Sequence, residues 1–205
     1  MKAYNIRRAK PKPDKCALLV IDMQEYFRLL APAIIGNIRS IITACRSSEI
    51  LVIYTRHGHK DIAKNGGMLD KWWGDLIHYG TREWAIIPEL SPSDTDVVLD
   101  KNRYSAFWGT NMDELLRSRN IEEIIIAGVM TNCCCETTAR DAFVRDYRVF
   151  FMGDATATVN RELHAASLKN LAYGFAHVVS TRELCEQLMK PQGKENHRDE
   201  NNIRV

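Results

Sequence analysis

Six short apolar runs recur along the chain: CALLVI (16–21), ILVIY (50–54), DVVL (96–99), EIIIAG (123–128), RVFFM (148–152) and HVVS (177–180). They are rich in Val and Ile, and most do not alternate with polar residues. A strand covered on one face alternates; a strand buried on both faces reads as a continuous apolar run. Helical patterns lie between most of them. Residues 32–47 place Ile34, Ile35, Ile38, Ile41, Ile42 and Cys45 at three- and four-residue spacing. Asn111 with Glu114, and Ser180 with Glu183, resemble capping boxes at helix starts. Strands alternating with helices predict an α/β fold, a parallel sheet with helices on both sides.

The chain has 205 residues, which suits one domain. Residues 1–14 read as a polar N-terminal arm, 15–190 as the domain, and 191–205 as a flexible C-terminal tail. A net charge of +2, without a basic stripe, argues against nucleic acid as a partner. No apolar run reaches the ~18–20 residues of a membrane span. The basic start is not followed by an apolar segment and cleavage site, so no secretory signal is expected. The six cysteines include no C-x2-C pair, and adjacent cysteines rarely reach disulfide geometry. A reduced, cytoplasmic setting is expected. Residues 55–95 break the strand–helix rhythm and contain Trp72, Trp73 and Trp84 with three histidines; so long a connection is usually a lid or binding loop.

In open parallel sheets the ligand sits beyond the carboxyl ends of the strands, where strand order reverses. Asp22 follows the first apolar run, Lys101 follows the third, and TNCCCETTARDA (131–142) follows the fourth. A carboxylate, an ammonium and a thiol thus end three strands. The carboxylate can take a proton from the thiol, while the ammonium and a helix amino end favour the thiolate. Thr131 or Asn132 suits the N-cap, which puts Cys133, Cys134 and Cys135 in the first helical turn. Helical residues are ~100° apart, so at most one of the three thiols faces the sheet edge; the others suit the core. Spacing alone leaves open which.

LLVIDMQEYF, DKNRYSAFWGTNMDELL and IIIAGVMTNCCCETTARDAFVRDYRVFFMGDATAT together resemble the isochorismatase-like cysteine hydrolase family, over roughly residues 15–190. The resemblance implies a three-layer α/β/α sandwich with a six-stranded parallel sheet in Rossmann-like order. It also implies a Cys-Asp-Lys triad, which by motif falls on Cys134, Asp22 and Lys101. It further implies a cis peptide at Val129–Met130 and an oxyanion hole from the backbone N–H groups of Met130 and Cys134. Homodimers or homotetramers are common in the family.

Family branches differ at two places. Isochorismatases proper, which hydrolyse a vinyl ether, lack the nucleophilic cysteine; Cys134 is present here. Nicotinamidases carry a metal site of Asp-x-His plus a distant His, but the matching stretch reads Arg56-His57-Gly58-His59. No cofactor is therefore expected. The expected activity is cleavage of the C–N bond of a small amide or N-carbamoyl compound through a Cys134 thioester. A metal-dependent nicotinamidase, a vinyl-ether hydrolase and a catalytically silent scaffold are the alternatives. His57, His59 and Asp61 alternate, so on an extended segment they would share one side and offer three metal ligands. Gln24 and Phe27 are candidates for lining the substrate pocket. Trp72 and Trp73 suit a substrate lid as well as a core or oligomer contact. His164 reads as structural.

Overall fold

The continuous apolar runs become strands covered on both faces. The computed structural model describes residues 4–7 and 9–189. The strands are β1 (Cys16–Ile21), β2 (Leu51–His57), β3 (Val97–Lys101), β4 (Glu123–Val129), β5 (Arg148–Ala157) and β6 (His177–Val179). All neighbouring pairs are parallel, in the order β3-β2-β1-β4-β5-β6. The helices are α1 (Ile35–Ser47), α2 (Ile62–Asn65), α3 (Gly67–Trp73), α4 (Met112–Ser118), α5 (Glu136–Val144), α6 (Arg161–Gly174) and α7 (Thr181–Met189).

Every side chain of β1 is buried. Cys16, Leu18 and Val20 meet Ile38, Ile41 and Cys45 of α1 and Leu184 and Leu188 of α7. Ala17, Leu19 and Ile21 face the other way, toward Leu116 of α4, Ala139 of α5 and Leu171 of α6. Two apolar layers therefore clamp the sheet, which makes the three-layer α/β/α sandwich expected above. Each fully buried Leu or Ile contributes about 1.5–3 kcal/mol. Among the described residues no helix is long and apolar enough to cross a membrane.

Strand bounds differ from the apolar runs where the hydrogen-bonded ladder outlasts the apolar side chains. β2 and β3 continue to the paired residues His57 and Lys101. β5 runs to Ala157, and between Phe151 and Thr156 it advances five residues while β4 advances two, from Ile126 to Gly128. The bulge is used as an anchor. Asp154 Oδ1 accepts from the Thr181 amide and hydroxyl, both at 2.8 Å, and the Gly153 carbonyl lies 3.0 Å from His164 Nε2.

The described part of the N-terminal arm is tied down. The Asn5 side-chain amide donates to the Val178 carbonyl at 2.6 Å, and its oxygen accepts the Val178 amide at 3.2 Å. It so satisfies backbone groups of the edge strand β6, which would otherwise stay open to pairing. The Lys12 amide donates to the Glu123 carboxylate at 2.7 Å. The tail over 191–205 lies outside the described residues. At the start of α7 Ser180 Oγ accepts the Glu183 amide at 3.2 Å, the N-cap half of the expected capping box. At α4 the Asn111 side chain makes no cap; Thr110 Oγ1 accepts the Met112 amide instead, at 3.2 Å.

At the switch point β1 and β4 lie side by side and their connections leave in different directions. Gly128 sits there with φ +122°, and a Cβ on it would run into the backbone of Ile21. Gly128→Ala is therefore expected to cost about 3 kcal/mol or more, read as a lowered urea midpoint. A midpoint within experimental scatter of wild type would contradict this reading of the β1–β4 contact.

Candidate active site

Asp22 is the first residue past β1 and has φ +49°, the left-handed region that a side chain seldom adopts. Thr55 of β2 holds it there. The Asp22 amide donates to the Thr55 carbonyl and hydroxyl, each at 3.2 Å, and the Thr55 hydroxyl donates to Asp22 Oδ1 at 2.6 Å. The carboxylate consequently stands over the switch point, fully buried.

Lys101 comes from β3, two strands away from β1. Neighbouring strands are ~4.8 Å apart, so the gap is about 10 Å and a long side chain is needed to cross it. Lys101 Nζ lies 2.7 Å from Asp22 Oδ2, and both side chains are excluded from solvent. The ion pair is out of line for a hydrogen bond at Oδ2; the aligned bond from Nζ goes to the Arg103 carbonyl at 2.9 Å. Oδ2 therefore keeps a lone pair for another donor.

The three cysteines occupy one wide π-helical turn, Thr131–Cys135, between β4 and α5. The amides of Cys133 and Cys135 both donate to the Met130 carbonyl at 3.1 Å. The Met130 and Cys134 amides take no part in those two bonds. The Val129–Met130 peptide is cis. Thr131 and Asn132 do not cap the helix, contrary to expectation. Thr131 Oγ1 lies 2.9 Å from His164 Nδ1, and Asn132 Oδ1 accepts the Thr158 hydroxyl at 2.6 Å. Both side chains fasten the turn to the β5–α6 side. Single-turn π segments are common at functional sites, and this one presents the middle thiol to the Asp22–Lys101 pair. Cys135 is buried in the core, and Cys133 is half-buried beside Tyr104.

Burial pushes the Cys134 thiol far up; Lys101 opposes this and the Asp22 carboxylate, which accepts from the thiol, adds to it. The thiol is thus protonated at rest. In a site this dry, desolvation outweighs one ammonium. Burial also works against the Lys101 charge, but Asp22 and Cys134 more than offset it, so the ammonium is held above its ordinary pKa.

Gln24 and Phe27, candidates for the pocket, have structural tasks. The Gln24 amide donates to the His57 and Trp84 carbonyls at 2.9 and 2.8 Å, and its oxygen accepts the His57 amide at 2.7 Å. Its donors are fully used in fastening residues near Trp84 to β2. Phe27 packs against the α1 side of the sheet, whereas Cys134 lies on the α4–α6 side. Trp72 is 75% exposed. Trp73 does reach the site's edge: its Nε1 donates to the Tyr104 hydroxyl at 2.7 Å, and that hydroxyl donates toward Cys133.

His57 and His59 are buried with ring centroids 5.2 Å apart. Asp61 does not join them. The extended chain ends near His57, and the Asp61 carboxylate pairs with Lys64 at 3.2 Å, 45% exposed. Alternation holds only while the chain stays extended, so the expected trio is broken. Among the described residues no group of three His, Cys, Asp or Glu is placed to hold a metal ion. Burial, with Lys101 adding to it, pushes His57 down to about 3, so its ring is neutral at ordinary pH. Two residues escaped the sequence reading. Thr55 is a polar residue on β2 just past an apolar run, and Tyr104 stands three residues beyond Lys101; only the strand-end rule pointed near either.

Residues 16–183 match the family model described as the isochorismatase domain. The chain is 46% identical over 189 residues to a protein named nicotinamidase 3 from Arabidopsis thaliana, spanning 91% of this chain and 95% of that relative. It is 32% identical over 205 residues to the ureidoacrylate amidohydrolase RutB of Agrobacterium fabrum, spanning 85% of this chain and 90% of the relative. A solved cysteine hydrolase from Pseudomonas syringae pv. phaseolicola superposes with a TM-score of 0.85 at 30% identity, covering 88% of this chain and 95% of that one.

The protonated thiol has a direct readout. The difference in thiolate absorbance between wild type and Cys134→Ser is expected to stay flat from pH 6 to 9. A titration step near neutrality would contradict a thiol governed by burial.

Proposed function

The chain belongs to the isochorismatase family, and from that membership we propose that it is a cysteine hydrolase cleaving the C–N bond of a small non-peptide amide or N-carbamoyl compound. The observation that carries this reading is the buried Asp22–Lys101 pair at 2.7 Å with the Cys134 thiol against it. A protonated thiol next to a carboxylate with a spare lone pair is a nucleophile waiting for a proton transfer.

As substrate enters, the Cys134 proton passes to Asp22 while sulfur bonds to the carbonyl carbon. The amides of Met130 and Cys134 receive the oxyanion. Asp22 gives the proton to the nitrogen, the C–N bond breaks with its electron pair going to nitrogen, and ammonia leaves a thioester. Water then attacks. Asp22 takes its proton, the C–S bond breaks, and the proton returns to sulfur. Lys101 stays an ammonium throughout and balances whichever of Asp22 and sulfur is negative.

The relative named nicotinamidase 3 puts nicotinamide first among compounds to try, with ureido and other carbamoyl compounds next. Ammonia release from such a panel, with and without chelator, tests the reading. Release is expected to resist the chelator and to fall by about a thousandfold or more in Cys134→Ala. Cys133→Ala and Cys135→Ala are expected to stay within about tenfold of wild type when folded. Turnover that survives loss of Cys134 but not of Asp22 would favour the vinyl-ether type of chemistry. Nicotinamide hydrolysis abolished by chelation would replace the metal-free reading.

A further inference from the structure

A buried hydroxyl far from the thiol also lacks a partner. Tyr54 of β2 is 1% exposed and packs in the core on the α1 side, whereas Cys134 lies on the other side of the sheet. Among the described residues the Tyr54 hydroxyl has no hydrogen-bond partner. Buried polar atoms are nearly always paired, so the orphan calls for a reason. Tyr54 lines a cleft of about 130 Å³ between α1 and the turn that follows Ile87, with Arg39 and Arg46 on one side and Glu89, Leu90 and Ser91 on the other.

The groups around the hydroxyl say what kind of partner is missing. The Arg46 guanidinium approaches its oxygen as a donor and a positive charge, short of an aligned bond, and the Asp96 carboxylate acts on it from nearby. The hydroxyl end therefore lies beside that pair, at the cleft. Burial pushes the hydroxyl up to about 12, so at ordinary pH it keeps its proton and needs an acceptor. Arg46 pairs with Asp96 through Nε and Nη2, which leaves Nη1 outside the pair. Arg39 is exposed, and among the described residues its guanidinium has neither an ion pair nor a hydrogen bond. Glu89 is the one carboxylate in the lining, and Arg28 occupies both its oxygens, at 2.9 and 3.0 Å.

The cleft thus offers donors and positive charge, and its acid is already answered. A guanidinium fork matches the oxygens of a carboxylate or phosphate group. A water would satisfy the hydroxyl alone. An oxyanion accepts from the hydroxyl and from both guanidinium groups at once.

We propose that this cleft is a second binding site, which takes a small oxyanion, a phosphate or carboxylate group, on Arg39, Arg46 and the Tyr54 hydroxyl. The site stands apart from the thiol chemistry and holds or fails whatever Cys134 does.

The test is titration calorimetry of inorganic phosphate into the full chain at constant ionic strength, with acetate in parallel. One saturable site is expected. Tighter phosphate would name a phosphoryl group as the natural occupant, and tighter acetate a carboxylate; either supports the proposal. Tyr54→Phe removes only the orphaned hydroxyl, so it is expected to fold as wild type does, checked by near-UV circular dichroism. Tyr54→Phe and Arg39→Gln are each expected to weaken binding about tenfold or more, as loss of a hydrogen bond to a charged group does. The Cys134→Ala protein is expected to bind as wild type does. No saturable heat from either anion at millimolar concentrations overturns the proposal. So does binding that is unchanged in both Tyr54→Phe and Arg39→Gln, which would put the anion elsewhere.

Discussion

A carboxylate and an ammonium lie 2.7 Å apart with neither side chain touching solvent, and the rest of the molecule is arranged to keep them there. Pairs of this kind are poor sources of stability. Desolvating both charges consumes most of what their attraction returns, and apolar residues of similar volume often serve as well. Removing one partner alone is expensive, because the other is left buried and unpaired. The pair is therefore explained by what it does to its neighbour. It fixes a carboxylate with a spare lone pair against a thiol that burial keeps protonated.

The fold provides for this by topology. A parallel sheet brings the carboxyl ends of all its strands to one edge, and reversal of order between β1 and β4 opens a gap at that edge. Asp22 leaves β1 and the π turn leaves β4 on either side of the gap. Lys101 crosses from β3 with the length only Lys or Arg can supply. Gly128 lets β1 and β4 close up beneath, and Thr55 holds Asp22 in its left-handed conformation.

Much of this was legible in the sequence because burial on both faces writes itself into a strand as an unbroken apolar run. CALLVI became β1 with the same bounds, since both its ends coincide with changes of polarity. The strand-end rule then found Asp22, Lys101 and the cysteine turn. What stayed hidden was polar and local. β2 and β3 run on into His57 and Lys101 because a ladder of backbone bonds is indifferent to side-chain polarity. Thr131 and Asn132 look like helix caps by type, yet their oxygens are claimed by His164 and Thr158, which are distant in sequence. Gln24 next to the site looked like a pocket residue, but three bonds to β2 and Trp84 use its amide as a fastener. Asp61 fell out of its alternation as soon as the chain stopped being extended.

The claim on which the rest depends is that one thiol of three carries the reaction. Enzyme quenched in acid during turnover of an active amide, then digested and weighed, reads this directly. The peptide that contains residues 133–135 is expected to gain the mass of the acyl group, and fragmentation is expected to place it on Cys134. The adduct should persist in Cys133→Ala and vanish in Cys134→Ser. An adduct on Cys133 or Cys135, or rapid turnover with no adduct under conditions that trap thioesters, would contradict the assignment.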